Sequence, residues 1–242
     1  MNERRTTHGP RKRSQIPDRW KATVLGATIA GLACAPKGPP AFPPAAPSVV
    51  ARNEAAGDPY RGRFPLDEAL AGLGHGSSLW ATIETDAGPI PCELDLYGKP
   101  LTVANFVGLA RGLRPVRGPD GRFAPLPYYE GSVFHRTHRG QFVQGGMRPD
   151  LEDPGFVLQD EISPGDDFRD AGVLAMANRG PDTGAAEFFI TLGDARHLAG
   201  RHTPFGDCRA LHVVSELSER VARGGQPRIL RVEITRQIPN AR

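Results

Sequence analysis

Residues 79–97, Leu79-Trp80-Ala81-Thr82-Ile83-Glu84-Thr85-Asp86-Ala87-Gly88-Pro89-Ile90-Pro91-Cys92-Glu93-Leu94-Asp95-Leu96-Tyr97, decide the fold class. Residues 79–85 alternate apolar and polar side chains, Asp86-Ala87-Gly88 is turn chemistry, and residues 90–97 alternate again. That pattern reads as a β-hairpin. Downstream, Thr102 is placed to cap a helix over residues 103–110, whose Val103, Phe106, Val107 and Ala110 share one stripe and which Gly112 stops. Residues 114–127 form a Gly/Pro-rich loop. Short apolar runs then recur at 132–136, 141–144, 172–177, 188–192 and 203–208. A second amphipathic helix occupies 213–223, with Val214, Leu217 and Val221 as its stripe, and 228–235 is a last strand. Many short strands with two isolated helices predict a mainly β chain, a closed antiparallel barrel with plugged ends. The absence of βαβ alternation excludes a doubly wound fold.

The 242 residues, 39% of them hydrophobic, suffice for one domain of ordinary size and an extension. Charge is unevenly placed. Residues 1–21 hold Arg4, Arg5, Arg11, Lys12, Arg13, Arg19 and Lys21 against Glu3 and Asp18, a local +5, so the total of +3 less +5 leaves −2 elsewhere. A faintly acidic body offers no phosphate-binding face and excludes nucleic acid as a partner. The uncharged run at 22–33 (ATVLGATIAGLA) is short for a membrane span of ~20 residues and suits a signal-peptide core. It ends Gly31-Leu32-Ala33-Cys34, which resembles a bacterial lipobox with Gly31 in place of the usual large aliphatic residue. Lipidation at Cys34 is the reading preferred over plain secretion, although Ala33-Cys34-Ala35 also fits an ordinary cleavage site. Ala35 rather than Asp after Cys34 favours the outer membrane. The expected address is therefore the periplasmic side of a bacterial cell envelope, with membrane contact only through the lipid. Prolines at 36, 39, 40, 43, 44 and 47 make the next stretch an extended spacer. The expected division is a signal peptide and lipobox at 1–34, a disordered Pro/Ala-rich tether at 35–76 and a folded domain at 77–238. One or two helical turns are expected around 66–73. Cys34, Cys92 and Cys208 show no CxxC or metal-ligand spacing. Cys92 and Cys208 read as buried free thiols, and a bridge between them depends on a Cα separation that local sequence does not give.

Three segments carry the chemistry. The first is Phe134-His135-Arg136-Thr137-His138-Arg139-Gly140-Gln141-Phe142-Val143-Gln144-Gly145-Gly146. The second runs from Gly172 through Met176-Ala177-Asn178 to Phe188-Phe189-Ile190, and the third is Leu198 followed by His202-Thr203-Pro204-Phe205-Gly206. Singly, an Arg on a strand is a solvated side chain and a Phe pair is core. His135 and His138, three apart on an extended segment, face opposite sides and do not make a ligand pair. Gly145-Gly146 lacks the Lys-Ser/Thr of a phosphate loop. Together, in this order and spacing, the segments resemble the cyclophilin-type peptidyl-prolyl cis-trans isomerases over about residues 79–235.

That resemblance implies an eight-stranded barrel capped by two helices, acting on proline-containing polypeptides as a monomer, without cofactor or metal. Residue by residue, it implies that Arg136 donates to the twisting prolyl amide and that Gln144 orients Arg136 and holds a substrate carbonyl. It implies that the Asn178 backbone pairs with the extended peptide. Phe142, Phe189 and Leu198 would form the slot for the proline ring, with Met176 nearby and His202 on the rim. Departures from the family pattern are Gln141-Phe142 where Phe-Met is usual, Ala185-Ala186 for Gly-Ser, Glu187 for Gln, Arg179 for a small residue, and His197 in the place of a Trp. The expected function is isomerisation of X-Pro bonds in folding or unfolded envelope proteins. A tethered proline-peptide binding module or chaperone with weak catalysis is the alternative, and a purely structural envelope protein a third reading that Arg136, Gln144 and Phe189 oppose.

Overall fold

The computed structural model describes residues 40–138, 140–151 and 153–237. The hairpin forms where the alternation placed it: β1 (Ser78–Thr85) pairs with β2 (Gly88–Leu94) in the register Leu79↔Leu94, Ala81↔Cys92, Ile83↔Ile90. The Thr85 hydroxyl closes the turn, donating to Gly88 O at 2.7 Å and accepting from Ala87 N at 3.1 Å. Gly88 holds a φ of 127° there, a backbone conformation that a Cβ would strain. Next come a helix at Pro100–Ala110 (α3, counting two earlier helices below) and a two-stranded ribbon of β3 (Pro115–Arg117) and β4 (Phe123–Pro125). β5 (Arg136–His138), β6 (Phe142–Gly145), β7 (Val173–Met176) and β8 (Phe188–Thr191) follow. A 3-10 turn (Arg196–Leu198), β9 (Pro204–Cys208), helix α4 (Leu211–Ala222) and β10 (Ile229–Gln237) complete the order.

Eight strands form one antiparallel sheet in the order β10-β1-β2-β9-β7-β8-β6-β5. Closure is where expectation and structure part. Among the described residues β5 and β10 share no ladder, and the chain just before β5 meets the start of β10 and the residues leading into it through an isolated Val133–Arg228 bridge and a few backbone hydrogen bonds. The sheet is therefore a curled half-barrel rather than a closed barrel, with β5 and β10 as its two edges.

The two-residue period sorts the side chains. Leu174, Met176, Val143, Phe188 and Ile190 enter the main core with Phe106, Phe205 and Leu217, while Val173, Ala175, Phe142 and Phe189 form a second apolar cluster on the other face. α3 is buried along its whole length. It begins at Pro100, three residues earlier than a Thr102 cap implies; proline suits that first position. Its cap comes from afar: the Glu161 carboxylate accepts Leu101 N (3.0 Å), Thr102 N (2.7 Å) and the Thr102 hydroxyl (2.7 Å). α4 lays Val213, Val214 and Leu217 on the core.

Two further expectations are corrected. The segment expected as a disordered tether is folded from about Phe42: α1 (Pro47–Ala56) and α2 (Leu66–Leu70) pack on the domain, burying Val49, Asn53, Asp58, Phe64 and Ala69. Proline forbids helix only up to Pro47, where it occupies the first turn, and the apolar side chains beyond it have a surface to cover. Gly108 of α3 makes room for Phe64; a Cβ there would stand 2.6 Å from the ring. Asp58 and Arg114 form an ion pair at 3.0 Å with both side chains fully buried, and burial lowers the Arg114 pKa to about 10 against the pull of Asp58. The guanidinium also lies 3.7 Å from the Phe156 ring centroid. The second correction concerns the thiols. Cys92 and Cys208 are register partners across β2 and β9, their Cα atoms 3.9 Å apart, and are joined in a disulfide spanning 116 residues. The long-range ladder that pairs them leaves no local trace in sequence. The expected signal segment, Cys34 and the first residues of the tether lie outside the described residues.

Candidate active site

The ladders of β5, β6, β8 and β7 bring the predicted residues together. Arg136 faces Gln144, Gln144 faces Phe189, and Phe189 faces Ala175, one lateral row across four strands. Directly opposed residues of an antiparallel sheet share a face, so the row shares the outer apolar cluster. Phe142, two residues from Gln144, is on that face as well, its ring 5.3 Å from that of Phe189. Gln141 falls in the turn before β6, with its carbonyl accepting Leu192 N at 2.7 Å.

The slot is aromatic on three sides. Phe189 has Phe142 on one flank, Phe168 at 6.0 Å on another, and the His202 ring edge-on at 5.2 Å. Leu198, from the 3-10 turn, and Ala177 pack against this cluster half-buried. His202 Nδ1 donates to the Met176 carbonyl at 3.1 Å, which leaves Nε2 as its acceptor. Burial holds the His202 pKa below its ordinary 6.5, although the bond to Met176 works the other way. Met176 is the exception among the expected contacts. Its side chain is buried in the main core, one residue out of phase with the slot, and it serves the site through its carbonyl. Asn178 anchors its side chain by donating to Arg201 O at 2.7 Å. His197 is exposed.

Arg136 stands out from this apolar floor. It is exposed, its guanidinium carbon lies 5.8 Å from the Phe142 ring centroid, and it forms no side-chain hydrogen bond or ion pair among the described residues. Gln144 does not bond Arg136 directly. Its Nε2 donates to Glu187 Oε2 at 2.7 Å, and His135 Nε2 approaches the same oxygen at 3.3 Å. This turns Oε1 of Gln144 away from Glu187. Burial alone would raise the Glu187 pKa; hydrogen bonds from His135 and Gln144, with the charges of His135 and Arg179, outweigh it, so the pKa lies below 4.5. Glu187 was visible in sequence only as a departure from a pattern, His135 only as a rejected ligand, and Phe168 gave no signal in its polar loop. Beside the slot lies a cavity of about 300 Å³ lined by Gln144, Asn178, Glu187, Thr183, Phe156 and Val157, among others. An apolar slot with a charged donor above it can hold a ring and stabilise an amide beside it.

Comparison with known proteins points the same way. Residues 80–237 match the model of the family described as cyclophilin-type peptidyl-prolyl cis-trans isomerase/CLD. Peptidyl-prolyl cis-trans isomerase A of Mycobacterium tuberculosis is 40% identical over 150 residues, 60% of this chain and 82% of that protein. A crystal structure of a Cryptosporidium parvum cyclophilin-type isomerase superposes with a TM-score of 0.54 at 24% identity, covering 66% of this chain and 99% of that one. A second structure of that parasite protein, in the presence of the dipeptide Ala-Pro, gives 0.53 at 23%, covering 65% and 99%.

Proposed function

The chain belongs to the cyclophilin-type peptidyl-prolyl cis-trans isomerases, and on that premise we propose that Arg136, above the Phe142–Phe189 slot, is the group through which it accelerates X-Pro rotation. The observation that carries this reading is the lateral row Arg136–Gln144–Phe189. The barrier, about 18–20 kcal/mol, comes from amide resonance, and uncatalysed exchange takes tens to hundreds of seconds. A thousandfold acceleration requires only about 4 kcal/mol. A permanently charged guanidinium donating to the prolyl nitrogen as conjugation breaks, or holding the neighbouring carbonyl, supplies energy of that order beside an apolar wall. Phe142, Phe189, Leu198 and His202 take the proline ring, the Asn178 backbone pairs with the peptide, and Gln144, fixed by Glu187, presents its amide to the substrate.

The substrates proposed are proline-containing segments of folding or unfolded proteins in a bacterial envelope. The dipeptide in the Cryptosporidium parvum structure supports the substrate class. The cationic start, the apolar run ending at Cys34, and a buried disulfide of the kind that persists in oxidising compartments support the address. Protease-coupled turnover of an Ala-Xaa-Pro-Phe peptide tests the activity; saturable binding without turnover would favour the binding-module reading. Cys34→Ser should abolish lipid labelling of the exported full chain, and an unlabelled wild type would replace anchoring with plain secretion.

A further inference from the structure

We propose that the folded segment ahead of the family domain is part of the substrate-recognition surface, with Asn53 as a positioning residue for the cavity beside the prolyl slot. The inference rests on the site assignment above, because that cavity shares Gln144, Asn178 and Glu187 with the site. One of its walls, Asp153, Pro154, Phe156 and Val157, belongs to a stretch without helix or strand. Such a wall keeps its shape only if its backbone is fastened elsewhere.

Asn53 does the fastening. It is fully buried, its Oδ1 accepts Val157 N at 2.8 Å, and its Nδ2 donates to Val157 O at 2.9 Å. One side-chain amide thus takes both backbone groups of a wall residue, as a neighbouring strand would. Gly62, at φ 78°, is compatible with this clasp because it has no side chain; a Cβ there would lie 2.3 Å from Asn53 Nδ2 and 2.6 Å from Val157 O. The same segment provides Asp58, which pairs with the Arg114 that stacks on Phe156. The facing wall is reached from the adjacent residue of α1: Arg52 Nη2 donates to Asp182 O at 2.8 Å, on the loop that carries Asn178 and Thr183 into the cavity. Asp160 and Asp182 then tie wall to wall, each backbone N–H donating to the other's carboxylate at 2.8 and 2.9 Å. Two consecutive residues of α1 therefore set the spacing of both walls. That spacing governs which side chains flanking an Xaa-Pro unit are accepted, without touching the rotation itself.

The test compares full-length Asn53→Ala and Arg52→Ala with wild type on two peptides, Ala-Ala-Pro-Ala and Leu-Ala-Pro-Leu, by exchange NMR. Both variants should lower kcat/KM for the bulky-flanked peptide by about tenfold, the scale of a misplaced wall, while the small peptide stays within about twofold. Arg52 is exposed, so its variant reports even if loss of the buried Asn53 prevents folding. An equal fall for both peptides marks a merely structural role and overturns the inference, as does no change in either. Arg136→Ala is run alongside. If it impairs both peptides, a flat Arg52→Ala and Asn53→Ala result counts against the clamp alone; if it impairs neither, the site assignment fails and the clamp falls with it.

Discussion

Glu187→Ala isolates what holds Gln144. In the wild type, Glu187 Oε2 takes Gln144 Nε2 at 2.7 Å and faces His135 Nε2 at 3.3 Å, and alanine removes the acceptor for both. A hydrogen bond to a charged group contributes about 1.5–3 kcal/mol. The Glu187 side chain is 30% exposed, so screening reduces the effect to roughly 1 kcal/mol. At about 1.36 kcal/mol per decade, kcat/KM should fall about fivefold in a protease-coupled assay. Glu187→Gln keeps an oxygen that accepts from Gln144 and should stay within about twofold of wild type. The pH dependence has a defined sign. The Glu187 pKa is depressed below 4.5, so its contribution is complete above 4.5 and is lost only as pH falls through the lower folded value. His202 is also depressed, from 6.5, so the unfolded chain takes up its proton first and stability declines as pH drops below 6.5 towards the folded value. The loss of stability that sets in just below 6.5 should therefore come from His202 and survive in Glu187→Ala, as followed by melting against pH. A Glu187→Ala enzyme as active as wild type would refute the view that this carboxylate positions Gln144.

Phe142→Ala, which removes a buried ring 5.3 Å from Phe189, should lower kcat/KM by more than about tenfold, whereas Gln141→Ala should stay within about twofold; the reverse ranking would put Gln141 on the slot floor and favour a non-catalytic binder. Reducing Cys92–Cys208 with a dithiol should cost about 2–5 kcal/mol of unfolding free energy in denaturant melts. An unchanged midpoint with both thiols free would show that the bridge contributes nothing.

Elements written in local periodicity were legible in the sequence. The β1–β2 hairpin, α4, and the sharing of one face by Phe142 and Gln144 follow from side-chain alternation or a 3.6-residue stripe. Alternation also argued against Met176 as a slot residue, since Val173 and Ala175 face the slot and Met176 the core; its place in a familiar motif obscured that. What stayed hidden depends on long-range pairing. The disulfide needs β9 beside β2, the α3 cap needs Glu161 from 60 residues away, and the open edge depends on β5 and β10 standing at opposite ends of the strand order. The folded segment at 42–76 was masked by composition, because its dense proline run ends at Pro47 just where α1 begins, and Pro59 and Pro65 fall between α1 and α2 rather than inside them.

The central claim is that one charged donor above an apolar slot performs the catalysis. It is tested most directly by kcat/KM of Arg136→Ala, with Arg136→Lys beside it, on an Ala-Xaa-Pro-Phe peptide, each variant checked for wild-type melting. Arg136 is exposed, so the fold should be unaffected. The alanine variant should lose more than about tenfold, and lysine, a point charge without the planar fork, should recover little of it. Unchanged kcat/KM in a folded Arg136→Ala protein would contradict the account.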